Sequence, residues 1–371
     1  MSIASAPLYY SKIAAARFWR ISDLFLVWLP ANYFTVVVQH EVFGHGYRIR
    51  DLGDSRAKVS DYSFGTPIPY GSGGGSTGFY LTDLTTTTEL SCISIGGIES
   101  TAILAQLTKL GWLMAGKIDP RQSLLYLFSE QDITLYVGSM DPKGEELAGH
   151  DISEYLETLR WTYPAGEMSK TKLKLLSIVS WLDPFTFYSA YAWLHYFWSG
   201  KEGHIPMIKI GPYGYLPGLR MGLTPFGPEF FLENYLTKNK NPVYFYGKGG
   251  AYGGNTYLGI GWFAPKIWQL GIWSIGARFD AWWQPKLLLT PLPESTFSIN
   301  FKTNPNPNQP LYPYSEQHDK SLGGAISALV SVEAYKRLGF QVEGGYKSKG
   351  FLPGNSLFGA PIVRAFMTLV F

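Results

Sequence analysis

The second half of the chain alternates large apolar residues with small or charged ones, segment after segment. Residues 258–262 alternate Leu, Ile and Trp with glycine, and in residues 275–281 the two charges, Arg278 and Asp280, fall on the same face. The same period recurs in residues 330–334. Successive side chains of a β-strand point to opposite faces, so this pattern predicts strands with one apolar and one polar face.

The composition indicates which kind of sheet these strands form. The chain has 16% aromatic residues, 41 glycines and only 16% charged residues, and its mean hydropathy is near zero. It is too aromatic for a typical soluble enzyme and too polar for a bundle of membrane helices. Lipid-facing apolar residues alternating with small or polar interior residues are typical of a transmembrane β-barrel.

The last segment makes this prediction more specific. Residues 363–371 alternate to the very end and finish on Phe371. The segment resembles the closing strand of bacterial outer-membrane barrels, and this resemblance implies a Gram-negative outer-membrane protein. We expect an antiparallel barrel of about 8–10 strands over residues 204–371. The strands are expected near 205–216, 218–225, 228–237, 242–252, 255–264, 269–283, 322–347 as a hairpin, and 361–371.

Residues 1–203 have a helical pattern, so the predicted class is an α+β membrane protein with a helical first half. Helices are expected near 11–48, 88–117, 121–137, 151–160 and 170–199. Residues 24–39 carry no charge, as in a large core or a segment at membrane depth. A second apolar run, 173–198, contains Asp183 and His195. These two residues are candidates to orient a ligand or stabilise a transition state; the alternatives are a helix N-cap before Pro184 and an interfacial histidine.

One motif carries recognisable chemistry: residues 40–46 read His-Glu-Val-Phe-Gly-His-Gly. Zinc peptidases commonly space two histidines four apart on a helix, with the adjacent Glu as general base. Here the spacing is five, which in a regular helix separates the imidazoles by about 140°. We therefore predict a π-bulge at Gly44, one Zn²⁺ per chain held by His40 and His45, and Glu41 as the base. The alternative is a pair of structural histidines on a buried helix.

A third protein ligand is needed, and Glu99 is the candidate. The pattern, with a Glu on a second helix about sixty residues on, resembles the dipeptidyl peptidase III family, whose motif reads His-Glu-Leu-Leu-Gly-His-Gly. The resemblance covers these two motifs and implies that His40, His45 and Glu99 bind zinc. The family's second motif has an acidic pair where this chain has Ile98 and Glu99.

The predicted function is a membrane-embedded zinc hydrolase of the outer membrane, specifically a metalloprotease acting on peptides or membrane proteins. The alternative is an outer-membrane transporter or channel with a helical plug; a purely structural barrel is a third possibility. The expected partners are the lipid bilayer and the substrate, without nucleic acid.

Three further features concern export, disulfides and loops. Residues up to Arg20 lack the pattern of a signal peptide. An outer-membrane protein must be exported, so we expect a signal peptide upstream of this sequence. Cys92 is the one cysteine, which rules out an intramolecular disulfide. The glycine-rich residues 71–78 admit a substrate backbone near the metal or form a flexible loop.

Overall fold

The computed structural model describes residues 6–139, 150–289, 292, 314–335 and 338–369. Its helices, which precede the large sheet except for a last short one, are α1 (Ala6–Asp23), α2 (Leu29–His40), α3 (Gly46–Leu52), α4 (Thr87–Ala115), α5 (Ser123–Glu130), α6 (Asp132–Gly138), α7 (Asp151–Thr162), α8 (Lys170–Ser177), α9 (Pro184–Ser199) and α10 (Tyr314–His318).

The first three helices form one continuous helical segment with two π-helical turns, Leu24–Trp28 and Glu41–His45. Pro30 lies in the first turn of α2. In a regular α-helix its ring would clash with the carbonyl four residues earlier, which belongs to the first π turn. The second π turn contains Gly44, as the histidine spacing predicts.

Helix α4 is the central helix of the molecule. A capping box starts it, in which Thr86 accepts a hydrogen bond from the backbone of Glu89 and the Glu89 side chain accepts one from the backbone of Thr86. Gly116, in the left-handed conformation, ends it. Residues 87–101 of this helix are buried without exception, and it contacts α2, α5 and α7. A helix buried on all sides reads as uniformly apolar or small, which explains its weak sequence periodicity.

Two sheets accompany the helices. A hairpin joins β1 (Ala57–Phe64) to β2 (Gly75–Leu81). In the part of the chain that the structure describes, the larger sheet has nine strands, each antiparallel to its neighbour along the chain, from β3 to β11. Its strands are β3 (Ile208–Ile210), β4 (Tyr213–Thr224), β5 (Gly227–Lys238), β6 (Asn241–Tyr252), β7 (Asn255–Leu270), β8 (Trp273–Pro285), β9 (Lys320–Tyr335), β10 (Leu338–Lys347) and β11 (Ala360–Leu369).

An antiparallel sheet of this size in the second half confirms that part of the fold prediction. The separate strands predicted at 205–216 and 218–225 are wrong, because β4 runs through Pro217. Pro217 pairs with Asn234 of β5, and β3 pairs with β4 only as far as Tyr215. A proline fits here because, among the described residues, β4 has a partner on only one side beyond Tyr215, so one row of its N–H groups is not needed for pairing. Phe371 lies outside the described residues.

The two faces of the large sheet differ in an unusual way. The exposed face carries large apolar side chains, such as Leu258 and Ile260 of β7, which are 57% and 58% exposed. The buried face carries charged side chains: Arg220, Glu229, Glu233, Lys248, Asp280, Glu343 and Lys347. A soluble sheet normally has the opposite arrangement, with apolar residues inside.

Among the described residues, two helical segments are long and apolar enough to cross a membrane by length and composition: Ala14–Leu52, with a mean hydropathy of 1.5, and Thr87–Ala115, with 1.4. The second is 72% buried inside the protein and the first only 28%. Leu26 and Val27 of the first segment are 54% and 53% exposed.

Candidate metal centre

The second π turn brings His40 and His45 together. Their ring centroids lie 4.9 Å apart, and both Nε2 atoms face one carboxylate oxygen of Asp151. The distances to Asp151 Oδ2 are 3.2 Å from His40 and 3.0 Å from His45. The three residues each offer a ligand atom, and these atoms all lie within 4.8 Å of one another. The extra residue of the π turn is what allows a five-residue spacing to share one site.

Glycines let the two histidines lie against α4. A Cβ on Gly44 would come within 2.6 Å of the Gly96 carbonyl oxygen and the Gly97 Cα. A Cβ on Gly97 would collide with the imidazole of His40. The predicted role of Gly44 therefore extends beyond backbone freedom, because the turn also packs directly on the backbone of α4.

The other nitrogen of each imidazole faces an acceptor. His40 Nδ1 lies 2.8 Å from Asp132 Oδ2, and His45 Nδ1 lies 2.7 Å from the carbonyl oxygen of Ile93. Thr101 donates a further hydrogen bond to the same Asp132 oxygen at 2.8 Å. These acceptors favour a proton on Nδ1 of each ring. The other nitrogen of each ring, Nε2, faces Asp151 and is the atom that would bind a metal.

Glu41 lies beside the cluster and is buried. Its Oε2 accepts a hydrogen bond of 2.8 Å from the Thr77 hydroxyl, which also contacts the Glu41 carbonyl oxygen. Strand β2 supplies Thr77, so the hairpin holds the Glu41 carboxylate in place. Glu41 and His40 line the same cleft.

The carboxylates of α7 have opposite pKa shifts. Burial would raise the pKa of Asp151, but the imidazoles of His45 and His40 lower it well below its usual range. Burial raises the pKa of Glu154 to about 7, although a hydrogen bond from Ser94 opposes this shift, and the charge of Asp151 adds to it. Asp151 therefore carries the negative charge of the cluster.

Two histidine nitrogens and one carboxylate oxygen match the three-ligand sets of catalytic zinc sites, which keep a fourth position open for water or substrate. Imidazole nitrogen suits zinc, whereas magnesium and calcium prefer oxygen alone. His40, His45 and Asp151 are thus the residues that fit such an ion.

Comparison with protein-family models, curated proteins and solved structures found no match.

The structure does not bring Glu99 to the cluster. Glu99 forms a buried ion pair with Arg48 of α3, with hydrogen bonds of 3.0 Å from Nε and 2.5 Å from Nη2. It also accepts a hydrogen bond from the backbone of Gly354. The third residue of the cluster is Asp151 instead. Glu99 lies near the middle of α4, two residues past Gly97, and it meets α3 rather than the His40–His45–Asp151 cluster.

Asp183 and His195 also lie in other surroundings. Asp183 caps α9 by accepting a hydrogen bond of 2.8 Å from the backbone of Phe185, which confirms the N-cap alternative. Its second oxygen lies 2.7 Å from Lys109 Nζ, and Lys109 also contacts Glu130 and Glu233 at 3.2 and 3.0 Å. His195 stacks on Tyr191 and contacts Ser199 within α9. Neither residue orients a ligand imidazole.

Sequence reasoning missed Asp132 and Asp151. Each is the first residue of its helix, α6 and α7. Acidic residues are common at that position because they interact favourably with the helix dipole. The sequence therefore offered no signal that separates these two carboxylates from ordinary helix-start residues.

Proposed function

We propose that the protein is a membrane-embedded zinc-dependent hydrolase, and specifically a metalloprotease. One observation carries the proposal: three donors of a zinc-type set converge within 4.8 Å, and Glu41, adjacent to His40 in sequence, opens into the same cleft. Structural histidines would need neither the convergence on one carboxylate oxygen nor the neighbouring carboxylate.

The residues have distinct roles in this reaction. His40, His45 and Asp151 would hold the ion, and Asp132 and the Ile93 carbonyl orient the imidazoles. A bound zinc would supply a Lewis acid that polarises the scissile carbonyl and makes water more acidic. Glu41 accepts the proton from the attacking water and passes it to the leaving amine. Thr77 keeps the Glu41 carboxylate aimed into the cleft.

We propose the bacterial outer membrane as the location, with the large sheet forming the transmembrane barrel. The apolar exposed face and the charged buried face of the sheet support this, since outer-membrane barrels face lipid with apolar residues and keep polar residues inside. The exposed apolar side chains of the segment Ala14–Leu52 extend the lipid-facing surface to the helical half.

Metal analysis and turnover of the detergent-purified protein test the proposal. We expect one zinc per chain, lost in His45→Ala. Glu41→Gln should retain zinc and lose at least about 100-fold in kcat, the usual contribution of a general base. Glu202→Gln is the matched control, because Glu202 is exposed and pairs with Lys117 on the surface. Full hydrolytic activity in Glu41→Gln would refute the mechanism.

One observation favours the second candidate, a transporter or channel with a helical plug. A cavity of about 340 Å³ lies between α4 and the charged face of the sheet. Its lining includes Gln106 of α4 and Arg220, Glu229, Arg278 and Asp280 of the sheet. A transporter or channel predicts conductance or uptake in liposomes, and the Glu41→Gln substitution should leave it unchanged. A hydrolase is expected to show neither conductance nor uptake.

A further inference from the structure

The cleft beside the metal centre has three sides. Helix α2 forms its floor with Tyr33, Val36 and Val37, next to His40 and Glu41. Helices α5 and α6 form one wall, and Gly74 and Gly75, at the start of β2, form the other. The cleft has a volume of about 280 Å³. The candidate metal ligand His40 and the candidate base Glu41 therefore belong to a cleft that has room for part of a substrate.

The lining of the cleft changes character along its length. His40, Glu41 and Asp132 are at the metal centre, whereas the floor and the α5–α6 wall contribute the apolar side chains of Val36, Val37, Phe128 and Leu135, together with Tyr33. The rings of Tyr33 and Phe128 lie edge to face at 5.5 Å. An apolar recess next to a polar reacting centre favours a ligand that carries an apolar group beside its reactive bond.

The glycine wall faces Glu41 closely. A Cβ on Gly75 would come within 2.8 Å of Val37 Cγ1 and 2.9 Å of Glu41 Cγ. Gly73 packs on the ring of Tyr33 in the same way. Because these glycines have no side chains, their backbone packs directly against Tyr33, Val37 and Glu41, and this side of the cleft holds Glu41 next to the apolar recess.

We infer that the cleft selects an extended peptide with a large apolar side chain next to the scissile bond, and that Leu135 and Phe128 determine this specificity. The inference rests on the proposed hydrolytic function and names its substrate class. Leu135 is 53% exposed, so it can be enlarged without repacking the core. Phe128 contacts Tyr33 at the floor of the recess, so its removal deepens the recess.

Quenched fluorescent peptides that differ at one position, Ala, Leu, Phe or Trp, test the inference on the zinc-loaded protein in detergent. We expect kcat/KM to be at least about tenfold higher for Leu or Phe than for Ala, as for other apolar pockets. Leu135→Trp should move the preference toward Ala, and Phe128→Ala should move it toward Trp. Leu194→Trp is the matched control, since Leu194 is 52% exposed on α9, and it should keep the original order.

Binding of the same peptides to Glu41→Gln, measured by fluorescence anisotropy, gives a readout that does not depend on turnover. The Kd values should follow the same order of side chains and shift with the same two substitutions. Cleavage with an unchanged preference in both variants would overturn the inference and leave the hydrolase intact. Absence of cleavage of every peptide by the zinc-loaded protein would overturn the proposed protease function itself.

Discussion

Arg48 and Glu99 meet in a buried, two-point ion pair that joins α3 to the middle of α4. Both residues are almost fully buried, and the carboxylate is also engaged by the backbone of Gly354. A carboxylate held in this way has a structural partner already. The pair therefore fixes α3, and with it the end of the π turn, against α4.

Glu99→Ala should destabilise the protein and leave its metal content unchanged. Removing one partner of a buried pair leaves an uncompensated charge and costs about 3–5 kcal/mol. Thermal unfolding in detergent measures the loss, and zinc per folded chain measures the site. The milder Glu99→Gln keeps the side-chain volume; loss of zinc from folded Glu99→Gln would show that Glu99 is a ligand after all.

Asp151→Ala should bind zinc far more weakly than Asp132→Asn. Asp151 faces both Nε2 atoms, whereas Asp132 acts through His40 Nδ1. Changes to such supporting residues cost about 10- to 100-fold in metal affinity, and removal of a ligand should exceed this range. Competition with a zinc-binding dye gives both affinities. Equal zinc affinity in Asp151→Ala and the unmodified protein would show that Asp151 is not a zinc ligand.

Gly75→Ala should lower kcat/KM for peptides by about 100-fold, the cost of a displacement near 1 Å at a reacting centre, with zinc binding retained. The added methyl group would press on Val37 and on the Glu41 side chain. Gly247→Ala is a suitable control because nothing lies within 4 Å of a Cβ there. Unchanged kcat/KM in Gly75→Ala would show that the substrate does not bind along the side of the cleft that Gly74 and Gly75 form.

Glu154 predicts a pH dependence of stability in the chelator-treated protein. Its pKa is raised from 4.5 to about 7. Below pH 4.5 both folded and unfolded chains keep the proton, so the group has no effect. Between these values only the unfolded chain releases it, so stability falls as pH rises, by about 3 kcal/mol at pH 8.

The Glu154→Gln variant should remove this loss. Its Tm should exceed that of the unmodified protein at pH 8 and equal it near pH 4, because a neutral amide resembles the protonated carboxyl group. Glu333→Gln, at an exposed residue, should show no such difference. A constant Tm offset at all pH values would mean that Glu154 is not protonated in the folded state.

The periodic elements and the π turn were predictable from sequence, because each depends on local spacing. Alternation gave the strands of the large sheet, and the five-residue interval between His40 and His45 gave the distorted turn. The third donor was not predictable. Asp151 reaches the histidines from more than a hundred residues away, and only the packing of α7 on α4 brings it there.

The ion-pair partners show the same limit. Nothing near Glu99 in sequence indicates Arg48, and a motif resemblance favoured the glutamate as a ligand. The charge on Lys109 is likewise neutralised by residues from α5, the start of α9 and β5. Sequence patterns identify the apolar and polar faces of helices and strands. Which charged groups form ion pairs depends on the tertiary arrangement.

The π turn also determines how this region can change in length. A single-codon deletion within the turn would give the four-residue histidine spacing of common zinc peptidases, and a regular helix would still present both imidazoles on one side. Because the π turn absorbs the extra residue, Arg48 would keep its position three residues after the second histidine and would still face Glu99. The two histidines and the anchoring of α3 would therefore both tolerate the shorter motif, provided that the turn reverts to a regular helix.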